Sequence, residues 1–151
     1  MGLDQYLTCK LRTYKPFKGE KGHPIRKIIE KNVKEYFKSG NIEYIEISFE
    51  AGYWRKANAI HKWFVDNIQG VDDCREYDVS RDELKKLKEL CKEVLKNKSK
   101  AHELLPTCEG FFFGGTGYDE WYYSSLKNTI KIINKCLKMP KEWTFTYSSS
   151  W

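Results

Sequence analysis

No stretch of this chain approaches 18 consecutive apolar residues, so no segment reads as a membrane span and no membrane partner is expected. No two of the five cysteines, Cys9, Cys74, Cys91, Cys108 and Cys136, stand at C-x-x-C spacing, and their number is odd. That pattern argues against a disulfide framework and against a cysteine metal site. His23, His61 and His102 are far apart, each without a cysteine or histidine at ligand spacing, so no metal or other cofactor is expected. The chain opens on polar and charged residues by Asp4 and Gln5, unlike a secretory signal, and a reducing cytoplasm is the expected compartment. There is no low-complexity run, internal repeat or linker, so residues 1–151 are read as one domain large enough to bury a core.

Aromatics are plentiful, at 15% of the chain, and Trp and Tyr supply 15 of the 23. These types suit binding surfaces as well as cores. The net charge of +6 suits an anionic partner such as a nucleotide, a nucleic acid or an acidic protein. Much of the excess, however, lies at Lys85, Lys86, Lys88, Lys92, Lys96 and Lys98, where a solvated helix face accounts for it.

Hydrophobic periodicity divides the chain into alternating elements. Residues 3–14 and 42–49 alternate as strands. Between them Pro24 opens a helix whose stripe runs through Ile25, Ile28, Ile29, Val33, Tyr36 and Phe37, and Gly40 marks its stop. Ala51 and Gly52 read as a turn into a helix over residues 53–69. A short strand over 75–79 precedes the capping box of Ser80 and Glu83. The helix that follows buries Leu84, Leu87, Leu90, Cys91, Val94 and Leu95. Residues 101–105 form a turn and 111–113 a short strand. Thr116 and Asp119 cap a long helix with Leu126, Ile130, Ile133 and Leu137 inside, and residues 142–151 form a last strand. Polar residues at alternate strand positions favour an α+β domain with a mixed or antiparallel sheet of about five strands and about four helices, by the logic that buried parallel strands read as continuous apolar runs.

Two segments carry the functional reading. Along the 53–69 helix, Tyr53, Ala57, Ile60, Phe64 and Ile68 make a core stripe, and Trp54, Asn58, His61 and Val65 make a second. With Arg55 and Lys56 beside it, that second face offers a ring to stack, an amide and imidazole to hydrogen-bond, and cations for phosphate. The turn Gly114-Gly115-Thr116-Gly117 leads into a helix N-terminus whose bare amides suit an anion, with Tyr118 and Trp121 as rings and Asp119 for a hydroxyl. It lacks the lysine of a G-x-x-x-x-G-K-[ST] loop. His61 with Asp119 or Glu120 is the one acid–base pairing the sequence suggests. Trp151 is expected to pack into a groove.

The segments Met1-Gly2-Leu3-Asp4-Gln5-Tyr6-Leu7, Tyr53-Trp54-Arg55-Lys56-Ala57-Asn58-Ala59-Ile60-His61-Lys62-Trp63-Phe64, Leu104-Leu105-Pro106-Thr107, Phe111-Phe112-Phe113-Gly114, Tyr118-Asp119-Glu120-Trp121-Tyr122 and Tyr147-Ser148-Ser149-Ser150-Trp151 carry a resemblance. The chain resembles an uncharacterised family of small bacteriophage and bacterial proteins that open on this first motif, from which it departs at Gln5 and Gly115. The resemblance implies phage origin, action in the host cytoplasm and a role against host defence. One form of that role is a sponge that holds a nucleotide-derived immune signal without cleaving it. The expected ligand is then a cyclic nucleotide or ADP-ribose derivative, bound by a homo-oligomer. The ligand-contacting residues are Trp54, Arg55, Lys56, Asn58, His61, Gly114, Gly115, Thr116, Tyr118, Asp119 and Trp121. The alternatives are an enzyme acting on the same nucleotide through His61 and an inhibitor of a host protein. Binding to duplex nucleic acid ranks lower, because no zinc finger, RNA-binding sheet motif or continuous basic helix is present.

Overall fold

The computed structural model describes residues 2–37 and 42–151. Within them the chain is one α+β unit with a single antiparallel sheet of four strands in the order β2-β1-β4-β3. The strands are β1 (Asp4–Tyr14), β2 (Tyr44–Arg55), β3 (Tyr77–Val79) and β4 (Trp143–Ser150). The helices are α1 (Pro24–Val33), α2 (Asn58–Phe64), α3 (Arg81–Lys96), the single turn α4 (Ala101–Leu104) and α5 (Glu120–Lys138). α2 continues into a π-helical turn, Val65–Gln69, that ends on left-handed Gly70.

Alternation along β1 and β4 sends Leu7, Cys9, Phe145 and Tyr147 to one face, where they are buried under helices. α3 and α5 supply the opposing layer with Leu84, Leu87, Cys91, Leu126 and Ile133. Burying a leucine or isoleucine of this kind contributes about 2 kcal/mol each. In this core the Tyr147 ring stacks on Phe64, with centroids 3.8 Å apart and planes 9° from parallel. The capping box forms as its spacing requires: Glu83 N–H donates to Ser80 Oγ at 3.2 Å, and Ser80 N–H to the Glu83 carboxylate at 2.7 Å.

Four sequence expectations are corrected. The strand expected at 111–113 is a turn, so the sheet has four strands, not five. β2 runs on through Tyr53, Trp54 and Arg55, so the expected helix starts only at Asn58. These residues pair with Asp4, Gln5 and Tyr6 of β1, and long-range pairing outweighs a helical spacing that four residues share by chance. Ala51 and Gly52 are not a turn but the site of a β-bulge, where the register against Leu7 and Thr8 slips by one residue. A Cβ on Gly52 would lie 2.4 Å from Ile132 Cγ2, so glycine is what lets α5 approach the strand. The fourth concerns α1: Arg26 is its one buried residue, and the apolar stripe is half-buried at Ile25, Ile29 and Val33 and exposed at Ile28. The expected stop at Gly40 lies outside the described residues.

Candidate functional site

β2 and α2 are joined by Lys56, whose backbone is left-handed, with φ +53°. A non-glycine residue there carries strain of about 1 kcal/mol. Lys56 N–H donates to Leu3 O at 2.7 Å, and Leu3 N–H to Phe112 O at 3.1 Å, so β1 ties this joint to the loop before α5. The loop is fixed from its other side by Asn58, whose Nδ2 donates to Phe113 O at 3.2 Å and Gly115 O at 2.9 Å. Its Oδ1 accepts from Cys108 N–H at 3.4 Å. Thr107 Oγ1 closes the loop by donating to Thr116 O at 2.9 Å. Gly114 adopts φ +87° where the chain passes Lys56, and a Cβ there would sit 3.2 Å from Lys56 Cβ.

Between this loop, the start of α2 and the first turn of α5 lies a cleft of about 360 Å³. Lys56, Asn58, Gly114, Gly115, Asp119 and Trp121 line it, together with Thr107 and Ser125. Six of the eleven residues singled out from sequence thus meet at one place. Trp121 is 62% exposed, and among the described residues no ring stacks on it. Lys56 has no carboxylate partner among the described residues. Gly115 and Gly117 face open space, so the cleft mouth is unobstructed there. Asp119 caps α5 by accepting from Tyr122 N–H at 3.0 Å through Oδ1. A second recess of about 270 Å³ shares Trp121 and is lined also by Tyr53, the mostly buried Trp54, Arg55 and Asn128. Arg55 is half exposed, 3.6 Å from Asp4. Thr116 lies on the loop outside the lining, and Tyr118 packs edge-on against Tyr122 at 5.0 Å. Asp119, without Thr116, is the helix cap.

No protein family, curated protein or solved structure matches this chain. What the site does must therefore be argued from its own geometry.

Two of the singled-out residues lie away from the cleft surface. Trp54 is 3% exposed and donates its indole N–H to Thr129 Oγ1 at 2.8 Å, so its ring is a wedge between sheet and α5. His61 is 1% exposed and lines neither recess. Its Nε2 lies 3.0 Å from Asp72 and its Nδ1 2.9 Å from the Tyr147 hydroxyl, so its acidic partner is Asp72, not Asp119 or Glu120. Burial pushes its pKa below the usual histidine value, against the opposing pull of Asp72. A neutral imidazole donating Nε2–H to Asp72 leaves Nδ1 as an acceptor facing the Tyr147 hydroxyl, whose one proton is shared between Nδ1 and Gln5 Oε1 at 3.3 Å. The Trp151 ring covers this group, 5.7 Å from His61 and 6.0 Å from Phe113, while keeping its other side open to solvent. Burial raises the Cys108 thiol pKa to about 11, which favours the protonated form at neutral pH. Among the described residues no three His, Cys, Asp or Glu side chains gather to hold a metal.

Asn58 was singled out as a ligand contact, yet both ends of its amide are already used within the fold. Thr107 and Ser125 were missed. Thr107 ends the shared segment Leu104-Leu105-Pro106-Thr107 and Ser125 belongs to no motif, and folding of the loop onto α5 brings both to the cleft.

Proposed function

We propose that the protein binds a small nucleotide-type anion in the cleft beside Trp121 and holds it without chemical conversion. The observation that carries this reading is that one cavity is lined both by an exposed indole on which no ring stacks and by a lysine without a carboxylate partner, each among the described residues. An indole face of this kind stacks on a base, a lysine meets one phosphate, and Asp119 Oδ2 accepts from a sugar hydroxyl. The strain at Lys56 supports the reading, because strained backbone tends to be kept where it serves a site. Sequestration rather than turnover is supported by the burial of His61 and the protonated state of Cys108. A cyclic nucleotide or an ADP-ribose derivative meets these demands, and the resemblance of the sequence to phage proteins suggests an anti-defence sponge. A reducing cytoplasm suits the free thiols of Cys9, Cys74, Cys91, Cys108 and Cys136.

The test is to incubate the purified protein with a panel of such nucleotides, filter, heat-denature the retained fraction and identify what it releases. Intact nucleotide released only on heating supports the sponge. A converted product turns the reading to an enzyme, and no depletion of any nucleotide rejects the cleft as a nucleotide site.

A further inference from the structure

α1 and the loop before it form an arm that the rest of the fold scarcely touches. The last three residues of β1 pair only with β2, because β4 pairs no further than Leu11. The arm is anchored by Arg26, whose guanidinium donates to Thr13 O at 3.2 Å and to Ile42 O, and pairs with Glu30. Beyond that anchor the arm presents large apolar side chains to solvent. Phe17 is 81% exposed, Tyr36 77%, Phe37 62% and Ile28 57%. Four large apolar side chains left exposed within residues 17–37 point to a contact surface.

The charge around the patch indicates what meets it. Residues 15–37 hold seven basic side chains against three acidic ones, which is +4 of the chain's net +6. Lys18, Lys21, Lys27, Lys31 and Lys34 have no carboxylate partner among the described residues. On α3, by contrast, Lys85, Lys88 and Lys92 all have one. At helical spacing Lys27, Lys31 and Lys34 share one side of α1, with exposed Ile28 beside Lys31.

We infer that this arm docks on an anionic lipid surface, with Phe17, Ile28 and Phe37 entering the headgroup layer and the lysines above them meeting lipid phosphates and carboxylates. A second copy is disfavoured, since it would bring +4 against +4. Nucleic acid is disfavoured because the arm has no free guanidinium to fork a phosphate or stack on a base: Arg26 is buried and committed to backbone carbonyls. Lysine point charges suit the diffuse field of a bilayer, and a short basic helix with aromatic and aliphatic neighbours suits its interface. None of this requires a span: no helix of the described residues is long and apolar enough to cross a membrane, and the arm lies on the surface.

The test is sedimentation of the full chain with vesicles of phosphatidylcholine alone and of phosphatidylcholine mixed with phosphatidylserine. Binding is expected on the mixed vesicles only. Lys27→Gln and Lys31→Gln should each weaken it about fivefold, and Phe17→Ser by about tenfold or more. All three positions are exposed, so melting temperature should stay unchanged. Three results overturn the inference. One is equal or absent sedimentation on the two vesicle types. Another is binding that Phe17→Ser leaves intact. The third is a single-stranded oligonucleotide, or a second copy in sedimentation equilibrium, that occupies the arm in preference to the vesicles.

Discussion

The indole of Trp54, on β2, donates to Thr129 Oγ1 on α5 at 2.8 Å, and Thr129 Oγ1 in turn donates to Ser125 O at 2.8 Å. This chain of two bonds stitches the sheet to the helix directly behind the cleft. Trp54→Phe keeps a large ring but removes the donor. It should cost about 1–2 kcal/mol of stability. Nucleotide affinity, compared between fully folded samples, should be unchanged. A urea titration beside a binding isotherm separates the two.

Trp121→Ala should do the reverse. The side chain is exposed and no ring among the described residues stacks on it, so stability should move by no more than about 0.5 kcal/mol. Loss of stacking should weaken a bound nucleotide by about 1–3 kcal/mol, which is roughly fivefold to over a hundredfold. Calorimetry against a nucleotide that the wild type retains gives the number. Unchanged affinity would remove Trp121 from the site.

Lys56→Gly should make the protein more stable and bind less well. Glycine accepts φ +53° without penalty, a gain of about 1 kcal/mol set against the greater freedom of glycine in the unfolded chain. The net gain is therefore a few tenths, while the only unpaired cation lining the cleft among the described residues is lost. Thermal melts and binding isotherms of the same variant should move in opposite senses.

Gly52→Ala places a methyl 2.4 Å from Ile132 Cγ2. Overpacking should cost about 1–3 kcal/mol. The added cost should shrink in an Ile132→Ala background, where the clashing methyl is gone, and a double-mutant cycle in urea reads that coupling directly.

Stability should fall as the pH drops below 6.5, the ordinary histidine value. In the folded protein burial holds His61 below that value, so in that window the unfolded chain binds a proton that the folded chain does not. Stability contributed by neutral His61 is therefore present above 6.5 and is lost as pH falls towards the lower folded value. Urea midpoints across this range should slope upward with pH for the wild type. The slope should flatten in His61→Gln, which keeps hydrogen-bonding capacity without a titrating group.

Local chemistry was legible in the residues themselves. Alternation marked β1 and β4, Pro24 opened α1, and Ser80 with Glu83 opened α3, because each of these depends on neighbours a few positions away. Asp119 capping α5 beside Trp121 was legible for the same reason. The α+β class followed from the alternation of strand and helix periods. Contacts between residues far apart in sequence decided the rest. Pairing with β1 carried Trp54 into a strand and then under α5, where its indole N–H is bonded to Thr129. Asp72 and Tyr147 claimed His61, and Asn58 spent its amide on the loop that Gly114 and Gly115 turn. A polar side chain's type sets what it can bond, but whether that capacity faces solvent or is used inside depends on which distant backbone folds against it.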